Sequence, residues 1–343
     1  MRTHSTTLLA SPKPLHWKRL LELLCAISLM LVTCSLAACS PPSLNVLCSN
    51  EEGVCEAWVR AFERETGVQT RFVRLPTAQA LARVRVGGAR EFDIWVGGPA
   101  ENYEVASHEN LLARADSTES IPARFKTSHW VGIYASMLTV CYNPQVLARN
   151  HLPTPTSWVD LEDPKFAGWI SAPSPLASGT GYRALLAISA SFEGRAKPHL
   201  NRIYDNVGRW TNSGTSPASV AALGEAAVAI SFSPYCREAS TPEQPLLQRV
   251  PAEGTTFEVG GGAVLEGARN AQHARAFLRW LTSEQGQRIV ISAGQTPVRE
   301  GYPASLSKVL ETAHYRVYDI SPNRASRERD GWLSWFELER LGG

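Results

Sequence analysis

The sequence predicts an α/β protein divided into two lobes, each a mixed, mostly parallel sheet flanked by helices. Three observations lead there. The chain alternates strand and helix from Leu44 to Val96 in a βαβαβ order, which calls for parallel strands joined by helices. Residues 39–343, left after an N-terminal leader, are enough to bury a large core that divides in two. Two apolar segments, Met137–Tyr142 and Thr255–Leu265, read as strands that cross between the lobes. They set lobe 1 at residues 39–138 plus 262–343 and lobe 2 at 139–261.

The leader carries Arg2, Lys13, Lys18 and Arg19 ahead of an apolar run from Leu23 to Val32, ending in Leu36-Ala37-Ala38-Cys39. The run is short for a bilayer span, and small residues precede a cysteine, as cleavage with lipid attachment requires. Residues 1–38 are therefore expected to be a signal peptide, with lipid on Cys39 tethering an extracytoplasmic protein to the cell membrane or outer membrane. Bacterial lipoproteins share this pattern. The formal net charge of +2 and the absence of a basic block argue against nucleic acid. Beyond the leader, Cys48, Cys55, Cys141 and Cys236 allow three complete disulfide pairings, among which spacing does not choose. No Cys or His spacing suggests zinc, and no cofactor is expected.

Leu44–Cys48 reads as the first strand, with Ser49-Asn50 at its carboxyl end opening a helix whose Val54, Trp58, Ala61 and Phe62 share a face. A strand from Val68 to Leu75, a helix from Thr77 to Val86 and the strand Phe92–Val96 follow, closed by Gly97-Gly98-Pro99. Ligands of such sheets sit beyond the carboxyl ends of strands, which singles out Ser49, Asn50, Gly97 and Gly98. Proline and acidic caps between Pro153 and Phe166 predict short helical turns.

Ser178-Gly179-Thr180-Gly181-Tyr182 then precedes a helical run. Glycine lets a ligand approach the backbone, the first-turn N–H groups lack intrahelical partners, and the helix dipole favours an anion there. The same residues also suit a plain N-cap. Asn201–Trp210 reads as a helix, and Ser213-Gly214-Thr215 lies in a second hydroxyl-rich loop, with Pro217 at the start of another helix. Two such loops can clamp one phosphate-like group. Ala227–Phe232 reads as a buried strand with Ser233-Pro234-Tyr235 at its end, and Gly260-Gly261-Gly262 permits bending or close backbone contact in the second crossover. The tail around Trp332, Trp335 and Phe336 suits a short amphipathic helix.

Taken in order, SNEE, FDIWVGGP, HWVGIYASMLTVCYNP, SWVDLEDPKFAGWI, SGTGY, GEAAVAISF, VPAEGTTFEVGGGAVLEGARN and AFLRWLTSEQGQ resemble a bacterial extracellular solute-binding lipoprotein of ABC importers. The resemblance is to the type II periplasmic binding fold and its ferric-iron-binding-protein-like family. It implies two α/β lobes joined by two crossover hinge strands, a small solute held in the cleft, a monomer, and delivery to an ABC permease. The loops resemble the branch that takes phosphonates or organic phosphates. Iron-binding members supply adjacent tyrosines where this chain has Pro234-Tyr235, so iron(III) with Tyr235 as its ligand is the alternative and no metal the first expectation. Some sugar-phosphate binders show a His-Asp pair at that place, which leaves the organic part of the solute open. An enzyme is not expected: there is no GxSxG elbow and no recognisable nucleophile-base arrangement. A purely structural lipoprotein is the remaining class.

Overall fold

The structure, a computed structural model, describes residues 43–116 and 120–340. The expected signal peptide over residues 1–38 and the expected lipid site at Cys39 lie outside the described residues. No helix among the described residues is long and apolar enough to cross a membrane.

The βαβαβ opening forms β1 (Ser43–Cys48), α1 (Glu52–Thr66), β2 (Gln69–Arg74), α2 (Thr77–Arg85) and β3 (Ile94–Pro99), followed by α3 (Ala100–His108). Val54, Trp58, Val59 and Phe62 form the buried face of α1, as their helical spacing dictates. β4 (Val131–Tyr142) leads to α4 (Pro144–Arg149), two short 3-10 turns, β5 (Ile170–Pro173), α5 (Gly179–Ser191) and α6 (Ala196–Asp205). β6 (Val207–Thr211), α7 (Ser216–Ala222), β7 (Val228–Phe232), α8 (Ser233–Ala239), β8 (Leu247–Arg249) and β9 (Phe257–Val264) follow. The chain closes with α9 (Ala271–Leu281), α10 (Glu284–Ser292), β10 (Thr296–Pro297), α11 (Leu306–Thr312) and α12 (Pro322–Arg340).

The expected helix over Asn201–Trp210 is corrected. It ends at Asp205, and Val207–Thr211 is an edge strand parallel to β5. Gly208 interrupts helical propensity there, and its bare backbone passes so close to Gly168 that an added Cβ would lie 2.2 Å from the Gly168 oxygen. The tail helix is also longer than expected, at 19 residues.

The sheet runs β2-β1-β3-β9-β4-β7-β5-β6, with β8 and β10 also paired to β4. Its flanks are parallel and its middle antiparallel: β3, β9, β4 and β7 alternate in direction. β4 serves two pairings in succession. Val131–Met137 pair with β9, and Leu138–Tyr142 pair with β7. The other apolar crossover passes beside it, where Leu138 N–H donates to the Thr256 carbonyl at 3.0 Å. A third segment joins them, because Tyr318 N–H donates to Thr255 O at 2.8 Å and Thr255 N–H to Arg316 O at 2.9 Å.

Two hydrophobic cores lie on either side of this crossing. The first gathers Trp58, Phe62, Trp95, Tyr103, Phe257 and Phe277; the second gathers Trp158, Phe166, Tyr204 and Phe232 with Ala325, Trp335 and Phe336 of α12. Truncating one of the buried aromatics would cost about 3–5 kcal/mol. The boundaries drawn at 138 and 262 stand as a proposal, with Phe257 and Val259 packed in the first core and α12 in the second. Of the three cysteine pairings, the structure forms Cys48–Cys55 and Cys141–Cys236.

Candidate functional site

The residues singled out in the sequence come together where the two cores face each other. Ser49 and Asn50 follow β1; Asn50 is fully buried and exchanges amide hydrogen bonds with Gln295, at 3.2 Å from Nδ2 and 2.9 Å to Oδ1. Ser49 Oγ accepts from Trp95 Nε1 at 3.0 Å. Gly97 and Gly98 have φ of 81° and 76°, a backbone that favours glycine. Their turn lies on the first: a Cβ on Gly97 would be 2.7 Å from Asn50 N, and one on Gly98 2.6 Å from Thr77 Oγ1.

The second core supplies the other wall. Ser178 is the N-cap residue of α5, though its side chain makes no capping bond. A Cβ on Gly179 would stand 2.5 Å from Pro99 Cδ and 3.2 Å from Thr77 Oγ1, so the loop touches the Gly97–Pro99 turn directly. Gly181 fits against Pro173 O, and Gly214 against the Thr180 hydroxyl, where an added Cβ would lie 1.9 Å away. Ser213 Oγ lies 3.0 Å from Thr215 Oγ1, and Gly214 O accepts from Ser231 Oγ at 2.9 Å.

Arg74 closes the circuit. Its Nε donates to Asn50 O at 3.1 Å and its Nη2 to Ser213 Oγ at 3.0 Å, so one guanidinium ties β1 to the second hydroxyl loop. This half-buried arginine is not among the residues that the sequence singled out. Arg74 is the last residue of β2 and Thr77 the first of α2. The rule that pointed to the ends of β1 and β3 applies equally to β2.

Four hydroxyls around this ring belong to nearly buried residues: Thr77 at 5% exposure, Ser178 at 4%, Thr180 at 6% and Tyr235 at 6%. None forms a hydrogen bond among the described residues. Their oxygens are not among the buried atoms left without a partner, so each keeps some contact with solvent although the residue is nearly buried. Tyr235 sits on α8 beside Phe232, ring centroids 5.9 Å apart, and burial pushes its phenol well above the ordinary tyrosine range.

Behind the ring lies a layer that the motifs did not reveal. Gly98 N–H donates to Tyr134 Oη at 3.0 Å, and Tyr103 Oη donates to Gly97 O at 2.7 Å. The Gly97–Gly98 turn is thus fixed from behind by two phenols, and Gly98 N–H is already engaged. Tyr134 Oη is also 3.0 Å from Glu258 Oε1. Burial, with Glu101 adding, pushes the Glu258 carboxyl up to about 8, against the opposing effects of Tyr134 and Arg183.

This architecture is shared with known proteins. The family described as bacterial extracellular solute-binding protein matches residues 44–295. The chain belongs to that family. This solute-binding protein is 31% identical over 265 residues to an uncharacterized protein of Haemophilus influenzae, covering 74% of this chain and 76% of the relative. It is 24% identical over 281 residues to the Fe(3+)-binding periplasmic protein of Serratia marcescens, covering 78% and 81%. The solved periplasmic binding protein AfuA from Actinobacillus pleuropneumoniae, with exogenous fructose-6-phosphate bound, superposes with a TM-score of 0.79 at 27% identity, covering 89% of this chain and all of the other. The fold is the two-lobed periplasmic binding protein fold, and the protein is an extracytoplasmic solute-binding component of an ABC importer, delivering a small molecule to a membrane permease.

Proposed function

We propose that the solute is a small organic phosphate or phosphonate, held between the Ser178–Gly181 and Ser213–Thr215 loops on one side and Ser49, Asn50, Gly97 and Gly98 on the other. The observation that carries this reading is the set of unpartnered hydroxyls of Thr77, Ser178, Thr180 and Tyr235 around the Arg74 guanidinium. Hydroxyls donate to an oxyanion, the first N–H groups of α5 point out of the helix, and arginine matches phosphate geometry. Each charge-assisted bond contributes on the order of 1.5–3 kcal/mol. Asn50 positions rather than binds through its side chain, since its amide is committed to Gln295. AfuA, with fructose-6-phosphate bound, is consistent with this chemistry.

Iron(III) is the second reading, favoured by the relatives of that printed function and by Tyr235 itself. Against it stand Arg74, whose charge opposes a trivalent cation, and the phenols that burial keeps protonated.

A thermal-shift panel on the delipidated protein separates the readings: phosphate esters, 2-aminoethylphosphonate, ferric citrate and neutral sugars. A ligand at a hundredfold its Kd adds about 2.7 kcal/mol of stability. Phosphate esters or the phosphonate are expected to shift the transition; a shift with ferric citrate alone, lost in Tyr235→Phe, would establish iron instead. Anchoring through lipid on Cys39 belongs to the same proposal, and Cys39→Ser is expected to abolish lipid labelling.

A further inference from the structure

Two carboxylates and one guanidinium are buried side by side behind the cleft. Glu101 on α3 is 0% exposed, Glu258 on β9 1% and Arg183 on α5 1%. Arg183 is committed: its Nη2 lies 2.6 Å from Glu101 Oε2 and its Nη1 donates to Ile320 O at 3.0 Å. One cation cannot balance two anions, and the direct ion pair assigns it to Glu101. Glu258 has one hydrogen-bond partner among the described residues, the Tyr134 hydroxyl. An isolated buried carboxylate is strongly disfavoured and takes a proton instead.

The other titratable groups that bear on Glu258 do not relieve it. Tyr103 on α3 uses its proton on Gly97 O. Tyr235 on α8 is neutral, pushed up first by burial and then by Glu258. Arg74 on β2 is bonded to Asn50 and Ser213.

We propose that Glu258 stands behind the cleft as a neutral carboxylic acid, and that capture of an anionic solute is coupled to the proton held there. This inference rests on the anionic-solute reading above. The charge on Glu258 gives the coupling its mechanism. When Glu258 is neutral, no negative charge stands behind the Gly97–Gly98 turn, which the fully buried Tyr134 links to the Glu258 carboxyl. When Glu258 is ionised, the solute oxyanion meets an added negative charge across that turn, in surroundings where charge is poorly screened. Protonation of Glu258 and binding of the anion therefore favour each other. Linkage of one proton limits the effect to a tenfold loss of affinity per pH unit above the transition.

Two measurements on wild type and Glu258→Gln test this, the first without solute. Thermal stability of the empty protein is followed from pH 6.5 to 9.5. Because burial pushes the folded-state carboxyl up to about 8, above its unfolded value, wild type is expected to lose stability from pH 6.5 to about 8 and to level off above, and Glu258→Gln to lose less. Parallel profiles would overturn the proposal whatever the solute. The second is calorimetric titration of fructose 6-phosphate at pH 8 in two buffers of different protonation heat. The ester's own second proton, with a pKa of about 6, is already off. Wild type is expected to take up protons on binding and the variant none. Equal uptake in both, or binding without uptake in wild type, would overturn the coupling. Failure of the ester, of inorganic phosphate and of 2-aminoethylphosphonate to bind wild type would instead remove the solute reading on which it rests.

Discussion

The ring of Tyr134 lies against the bare backbone of Gly260, so closely that an added Cβ there would stand 2.1 Å from Tyr134 Cε1. Gly261 makes the same allowance for Tyr103, at 2.6 Å. These phenols hold the Gly97–Gly98 turn, and Gly260 and Gly261 of β9 leave room for them, while Gly262 lies against Ile133 and Leu278. Gly261→Ala is expected to cost about 1–3 kcal/mol through overpacking and to weaken solute binding by displacing Tyr103. Denaturant unfolding and a titration check both; an unchanged midpoint together with unchanged affinity would show the seat to be roomy.

The Arg183–Glu101 pair joins helices that follow strands of different cores, with the side chains 1% and 0% exposed. Removing one partner strands a buried charge, at about 3–5 kcal/mol. Arg183→Met alone is therefore expected to destabilise more than Arg183→Met with Glu101→Leu, in which neither charge remains. A loss in the double variant equal to the sum of the two single losses would mean that the pair is not coupled.

Cys48 and Cys55 are both fully buried and bonded, and they bracket Ser49 and Asn50. Replacing both with Ser is expected to lower stability by about 2–4 kcal/mol and to loosen the Ser49–Asn50 turn, reducing solute affinity. In the unreduced, denatured wild-type protein, an alkylating reagent is expected to find none of Cys48, Cys55, Cys141 and Cys236 free; mass spectrometry showing them labelled would contradict the pairing.

What the sequence revealed and what it hid divide along physical lines. α1 announced itself through the spacing of Val54, Trp58 and Phe62, and the glycine-hydroxyl loops through local turn chemistry, because both signals are contained within a few residues. The edge strand β6 was hidden, since Asn201–Trp210 looks helical until Val207–Thr211 pairs with β5, a contact that the local sequence does not contain. Arg74, Tyr134 and Glu258 were hidden for the same reason. Arg74 lies 139 residues from Ser213 and Tyr134 124 residues from Glu258, and no spacing rule spans such separations. The glycines at 260–262 were visible as a place of close approach, but what approaches them comes from β4 and α3.

The most direct test of the account is calorimetric titration of a phosphate ester, with fructose 6-phosphate first, into solute-stripped wild type, Arg74→Ala and Thr180→Val. Saturable one-to-one binding to wild type is expected, weakened roughly tenfold or more in each variant, with thermal unfolding showing that the fold survives. Undiminished affinity in both variants, or binding of ferric citrate and of no phosphorylated or phosphonate compound, would contradict it.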